Sequence, residues 1–175
     1  MWYAVTVTGM DVSSPNNIDS LVLEGDWVSA FCVNIPLVLE SKSNFRRYTS
    51  ASGRSGSGSF ENNVGFLVKA ARPVSWLPLN RDIPVSDRPI VVSYICAQSN
   101  IDVSNYSKSI LDACEGVLYV SDASVQACSA LGIRGSSSSF MLAFAQVEPK
   151  STPLQVESAL RSLMVSARDF FSLVR

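Results

Sequence analysis

Asp102, Lys108, Asp112 and Asp122 fall within one stretch, Asn100 to Gln126, NIDVSNYSKSILDACEGVLYVSDASVQ. Lys108 and Asp112 are four apart, the spacing that puts two side chains on one face of a helix. Asp102 sits just before that helix. A turn at Glu115-Gly116 follows, then an apolar stretch, Val117 to Val120, expected as a short strand that Asp122 closes. An acid at a helix entrance and another at the end of the next strand can meet in space. Two carboxylates beside an ammonium suit a hard divalent cation and phosphate chemistry: the oxygens hold the metal, the metal activates a water, and the lysine offsets charge on the phosphate. The competing reading is structural, with Asp102 as a favourable charge at a helix N-terminus, Lys108 as a solvated cation and Asp122 as a turn acid.

The rest of the composition narrows the chemistry. The chain has no histidine, which removes a Ser-His-Asp triad, a Cys-His pair and a His-based metal nuclease. Any general base is then a carboxylate, a lysine or a metal-bound hydroxide. Cys32, Cys96, Cys114 and Cys128 form no CxxC pair and have no histidine to complete a zinc site; buried free thiols in a reducing compartment are expected. Net charge is −1, but it is segregated. Residues 1–41 carry five acids and no base, and residues 42–88 carry eight bases against three acids. Residues 89–129 carry four acids and one base, and residues 130–175 five bases and three acids. A basic segment beside an acidic one fits a metal-dependent nucleic-acid enzyme, whereas the pI of about 5.4 argues against strong non-specific DNA binding by a monomer.

The elements that must position these residues read as α+β. At 175 residues, 47% of them apolar, the chain is expected to form one domain with a real core. Met1 to Thr8 alternates like a strand. Leu21 to Leu23 and Trp27 to Ile35 flank Glu24-Gly25-Asp26 as a hairpin. Residues 36–60 read as a long loop ending in the low-complexity run TSASGRSGSGS, with Arg54 at its tip; the Gly-Lys-Ser/Thr ending of a phosphate-binding loop is missing. Phe60 to Ala71 has helical spacing. Ile90 to Ala97 reads as a central strand, and Val125 to Ile133 and Phe140 to Val147 as further strands. Thr152-Pro153-Leu154-Gln155 matches a capping box with proline at the first helical position. It opens a helix whose stripe Val156, Leu160, Leu163, Met164, Ala167, Phe170, Phe171 and Val174 packs on the domain or on a second subunit. No apolar run reaches the roughly 20 residues of a membrane span. The N-terminus has no basic residue before its first strand, unlike a secretory signal, so a cytoplasmic protein is expected.

The order of these pieces resembles the RusA-like family of Holliday-junction resolvases. That family carries a basic segment after an early strand; here Ile35-Pro36-Leu37, Lys42, Arg46 and Arg47 are similar, with Leu37 in place of a glycine. Its central signature, D-x-D-N-x-x-K-x-x-x-D, stands here as Asp102-Val103-Ser104-Asn105, Lys108 and Asp112. Its closing acidic pair stands as Ser121-Asp122. The likeness spans about residues 31–148 as a RusA-like core, leaving 1–30 as an N-terminal extension and 149–175 as a C-terminal helix. The fold it implies is a mixed sheet with helices packed on it, plus the extra N-terminal hairpin and the C-terminal amphipathic helix.

The resemblance implies a homodimer that binds branched DNA and cuts opposed strands of a four-way junction in DNA recombination and repair. Asp102 and Asp122 would be the metal ligands for Mg²⁺ or Mn²⁺, and Lys108 would stabilise charge on the phosphate. Lys42, Arg46, Arg47 and Arg54 would contact the DNA backbone. No membrane and no small-molecule cofactor is implied. The departure from the family pattern lies at Ser104 and Ser121, which stand where the signature has carboxylates. A hydroxyl is a weaker ligand for a hard dication, so metal affinity should fall and the catalytic site reads as degenerate. Ser104 suits a helix N-cap instead. If active, the protein would be a Mg/Mn-dependent endodeoxyribonuclease; if not, a junction-binding relative. The alternative is a non-catalytic α+β protein-interaction or structural module.

Overall fold

A computed structural model describes residues 2–6, 27–37, 57–73, 76, 88–97, 103–133 and 139–173. Within them lie five strands and three longer helices: β1 (Trp2–Thr6), β2 (Ser29–Ile35), α1 (Ser57–Ala71), β3 (Ile90–Ala97), α2 (Val103–Cys114), β4 (Val125–Ile133), β5 (Phe140–Gln146) and α3 (Pro153–Leu173). The class is α+β. The strands form one mixed sheet in the order β1-β2-β5-β3-β4. β5 runs antiparallel to both β2 and β3, whereas β1 lies parallel to β2 and β4 parallel to β3.

Every residue of β2, β3 and β5 is buried. Their sequences, SAFCVNI, IVVSYICA and FMLAFAQ, are therefore nearly continuous apolar runs rather than alternating ones, the pattern of strands covered on both faces. One face carries the large side chains Phe31, Ile35, Tyr94, Phe140 and Phe144 and packs against α1 and α2. Its aromatic contacts fix the layer: Trp76 meets Phe31 edge-on at 4.9 Å, and Phe60 of α1 lies 6.1 Å from Phe140. The other face is lined by small residues, Ala30, Ala143 and Ala145 among them. This lets α3 approach with Ala159, Leu163, Ala167, Phe170 and Phe171.

The C-terminal stripe thus packs on its own domain. Its capping box forms as expected: the Thr152 backbone N–H donates to Gln155 Oε1 at 2.8 Å, and the Gln155 N–H donates to Thr152 Oγ1 at 3.4 Å.

Three expectations need correction. Val117 to Val120 is not a strand but a compact turn, in which Gly116 N–H donates to the Tyr119 carbonyl at 2.8 Å and Leu118 N–H to the Cys114 carbonyl at 2.9 Å. Leu118 and Tyr119 are apolar there because they are buried anchors, both 0% exposed. Helix α1 begins at Ser57, inside the segment read as a loop. Cys128 is exposed, although Cys32, Cys96 and Cys114 are buried as expected. The arm of the expected hairpin at 21–23 lies outside the described residues, and β1 joins β2 in parallel.

Candidate functional site around the second helix

Helix α2 turns Tyr106, Ser109, Ile110, Ala113 and Cys114 inward, all of them buried. That leaves Lys108 and Asp112 on the outer side, one turn apart. Lys108 Nζ lies 3.4 Å from Asp112 Oδ1, with the lysine side chain 72% exposed. The predicted shared face is therefore real, and the lysine has a carboxylate partner on its own helix. An i,i+4 pair with so exposed a lysine contributes about 0.2–0.5 kcal/mol.

Two contacts hold α2 against its neighbours. Tyr94 of β3 shares a hydrogen bond with Ser107, Oη to Oγ at 3.1 Å, and burial pushes its phenol up to about 12. Gly65 of α1 lets the two helices cross closely: a Cβ there would stand 2.7 Å from the Ala113 carbonyl oxygen. Beyond Cys114 the chain reverses at Gly116, whose φ of +72° is the left-handed conformation that favours glycine. The Arg72 guanidinium donates to the Val117 carbonyl, and Tyr119 Oη donates to the Leu111 carbonyl at 2.7 Å. Burial drives the Tyr119 phenol far above its ordinary range, so it is a structural donor and not an acid at neutral pH.

Ser121 and Asp122 follow this reversal. A 3-10 turn runs over Asp122–Ser124, and Ser121 is its N-cap: Ser121 Oγ accepts from the Ala123 N–H at 3.3 Å. The same hydroxyl donates to Asp122 Oδ1 at 3.4 Å. Asp122 is exposed. The capping serine is thus Ser121. Ser104 is the second residue of α2, inside its first turn, rather than its cap.

The topology fixes where Asp122 stands. Val125, three residues on, pairs with Ile90, the first residue of β3. Helix α2 is entered from the other end of that strand, after Ala97. Its 12 residues span about 18 Å, whereas two carboxylates on one hard cation stand within about 5 Å of each other. Asp122 lies past the C-terminal turn of α2, away from the helix start that Asp102 precedes. Asp102 itself is outside the described residues, as are Lys42, Arg46, Arg47 and Arg54. Among the described residues no three histidine, cysteine or acidic side chains converge on a point that could hold a metal ion.

The described part of the site therefore brings Lys108 to Asp112 and Ser121 to Asp122 as two separate pairs. Ser121 as a cap was signalled by its position before Asp-Ala-Ser, a pattern easily missed beside a carboxylate motif. Cysteine chemistry gains nothing here: burial pushes the Cys32 and Cys96 thiols up to about 12 and about 11, so both stay protonated at neutral pH. Among the described residues, no helix is long and apolar enough to cross a membrane. No family model matches this chain, and no curated protein does either.

Proposed function

We propose that this protein is a RusA-like binder of branched DNA, of the Holliday-junction type, related to metal-dependent endonucleases and carrying a degenerate catalytic site. The observation that carries the degenerate part is the double role of Ser121, which caps the 3-10 turn and occupies the neighbouring Asp122 carboxylate. A position that a metal site would give to a carboxylate serves backbone geometry instead. The family part is supported by Asn105, Lys108 and Asp112 falling on one helix between two sheet strands, with a glycine-requiring turn at Gly116. Mg²⁺ or Mn²⁺ binds weakly in this reading, and the free cysteines suit a reducing, cytoplasmic location.

The test uses the full chain with a labelled four-way junction and a linear duplex of the same sequences. The expected result is preferential retardation of the junction with no cutting in Mn²⁺. Equal affinity for both DNAs would refute the junction reading, and efficient cutting would refute the degeneracy. The variant Ser121→Asp, which sets a second carboxylate beside Asp122, should bind Mn²⁺ more tightly by calorimetry and keep its turn, because aspartate also caps well. A second reading, a protein-interaction or structural module, is favoured by Phe66 on α1 and Val120 beside Ser121, which are 71% and 69% exposed. It takes over if DNA is not bound at all.

A further inference from the structure

We infer that the outer edge of β4 is a strand-addition site for an extended, uncharged segment of a different protein, one that carries large apolar side chains at every second residue. β4 ends the sheet: its ladder partner among the described residues is β3 alone. An edge strand presents a row of backbone N–H and C=O groups, and natural edges are ordinarily blunted by charge, by proline or by bulges. Val125–Ile133, VQACSALGI, has no charge and no proline. Its register shift leaves Gln126 over near the start, so Ala127 to Ile133 run regularly beside Val91 to Ala97. That regular stretch is long enough for a typical added strand of about five or six residues.

The shift also sorts the faces. Before it, Val125 lies with Ile90 on the side of α1 and α2, packed against the core there. After it, Cys128, Ala130 and Gly132 are exposed on that same side, next to the buried Val92, Tyr94 and Cys96. Ala127, Leu131 and Ile133 are half-buried and pack with the α3 layer. The exposed row is made of small residues, and α2 rises beside it. Ser107 bonds Tyr94, the ladder neighbour of Ala130. Leu111 follows one turn later on the same helix face, partly buried against the core. The result is a shallow uncharged trough, floored by the small row and walled by α2.

The occupant follows from the shape and charge of this trough. Small floor residues beside a leucine leave room for large side chains. In strand addition the main chain supplies affinity and the alternate side chains select the partner. A second copy of β4 does not fill the trough, since it brings small residues against small residues. A charged side chain laid there would lose its water and find no opposite charge in the strand, so the segment is uncharged along its length. At the start of β4 the exposed Asp122 sets a negative charge three residues before Val125, which matches a basic residue at that end of the segment. Antiparallel pairing, the more stable kind per residue, puts that basic residue at the segment's C-terminal end. The inference does not rest on the junction reading, because no floor or wall residue is among those assigned to DNA or metal.

The probe is the fluorescein-labelled peptide Thr-Leu-Thr-Leu-Thr-Leu-Thr-Lys, whose leucines in this register oppose Gly132, Ala130 and Cys128. Mixed with the full chain, without DNA or metal, its anisotropy should rise saturably. Replacing the leucines by alanine should weaken binding about tenfold or more. Ending the peptide in glutamate rather than lysine should weaken it about two- to fivefold. Cys128 locates the site, because its thiol is exposed in the floor: bound peptide should suppress its reaction with a thiol reagent in proportion to occupancy. Ala130→Lys, at an exposed position, should abolish binding with circular dichroism unchanged. No saturable binding overturns the inference. So does equal affinity for the alanine or the glutamate peptide, binding that survives the lysine in a folded chain, or binding that leaves Cys128 as reactive as before. Tighter binding of a peptide with the β4 sequence assigns the edge to a second copy and overturns the occupant proposed.

Discussion

Gly65→Ala tests whether the crossing of α1 and α2 sets the position of the signature helix. In an unencumbered helix interior this change stabilises by about 0.5–1 kcal/mol, because alanine loses less backbone freedom than glycine. Here the added Cβ would stand 2.7 Å from the Ala113 carbonyl oxygen and 3.5 Å from Val117 Cγ2. The first contact has to open by about 0.7 Å to reach ordinary van der Waals distance. No rotamer relieves it, since the contacting atom belongs to the backbone of a buried residue whose helix is pinned by Leu118 and Tyr119. Overpacking of this kind costs about 1–3 kcal/mol and outweighs the propensity gain, leaving a net loss of about 1 kcal/mol. Urea unfolding of the full chain should show it as a midpoint lowered by about 0.5 M, taking a slope of about 2 kcal/mol per molar. A midpoint equal to or above wild type would refute the close crossing. Rescue by adding Val117→Ala would show that the conflict lies with a side chain and not with the carbonyl.

Arg72→Met should lower stability by about 1 kcal/mol by leaving the Val117 carbonyl without its charged donor, read by the same urea midpoint; an unchanged midpoint would refute that role. Trp76→Ala should cost about 3–5 kcal/mol, because the ring is 1% exposed and stacked edge-on against Phe31; thermal unfolding measures it, and a loss below about 1 kcal/mol would show that the site collapses around the gap. With no histidine in the chain, stability should stay nearly flat from about pH 6 to about pH 8. It should then decline in alkali, because the folded Cys32 and Tyr94 pKa values, each about 12, lie above their ordinary values of 9.0 and 10.0. Groups raised in this way support the fold below their unfolded pKa and lose that contribution as pH climbs toward the folded one, so the urea midpoint should fall between about pH 9 and about pH 12. In native buffer a thiol reagent should modify Cys128 alone and reach the other three cysteines only in denaturant; rapid reaction of four thiols in the native state would contradict the burial described.

The two strands that bracket the signature were legible because each is an apolar run closed by turn residues. Pro89 precedes Ile90 to Ala97, and Asp122-Ala123-Ser124 precedes Val125 to Ile133. The capping box at Thr152 was legible for a similar local reason, since its two side chains satisfy backbone groups within four residues. What failed was decided by tertiary contact. Val117 to Val120 has the composition of a short strand, but four apolar residues cannot distinguish a strand from a turn whose middle is anchored in the core. Ser57 to Ser59 has turn composition yet forms the first turn of α1, whose Phe60 and Val64 are drawn onto the sheet. The pairing of β1 with β2 in parallel had no local signal at all, because strand direction follows from the path of the intervening chain.

The same limit explains the candidate site. Residue spacing along α2 fixed the Lys108–Asp112 face, a property of one helix. Whether Asp122 returns to the start of that helix depends on which end of β3 receives β4. A parallel β4 whose Val125 lies opposite Ile90 sends Asp122 to the beginning of β3, whereas α2 starts from that strand's end. The segment around Ser121 takes the local gain of a capped 3-10 turn, about 0.5–2 kcal/mol for a serine cap, which is what Ser121 supplies. Ser121→Ala should therefore cost about 0.5–2 kcal/mol, read as a lowered urea midpoint. An unchanged midpoint would refute the capping role of Ser121.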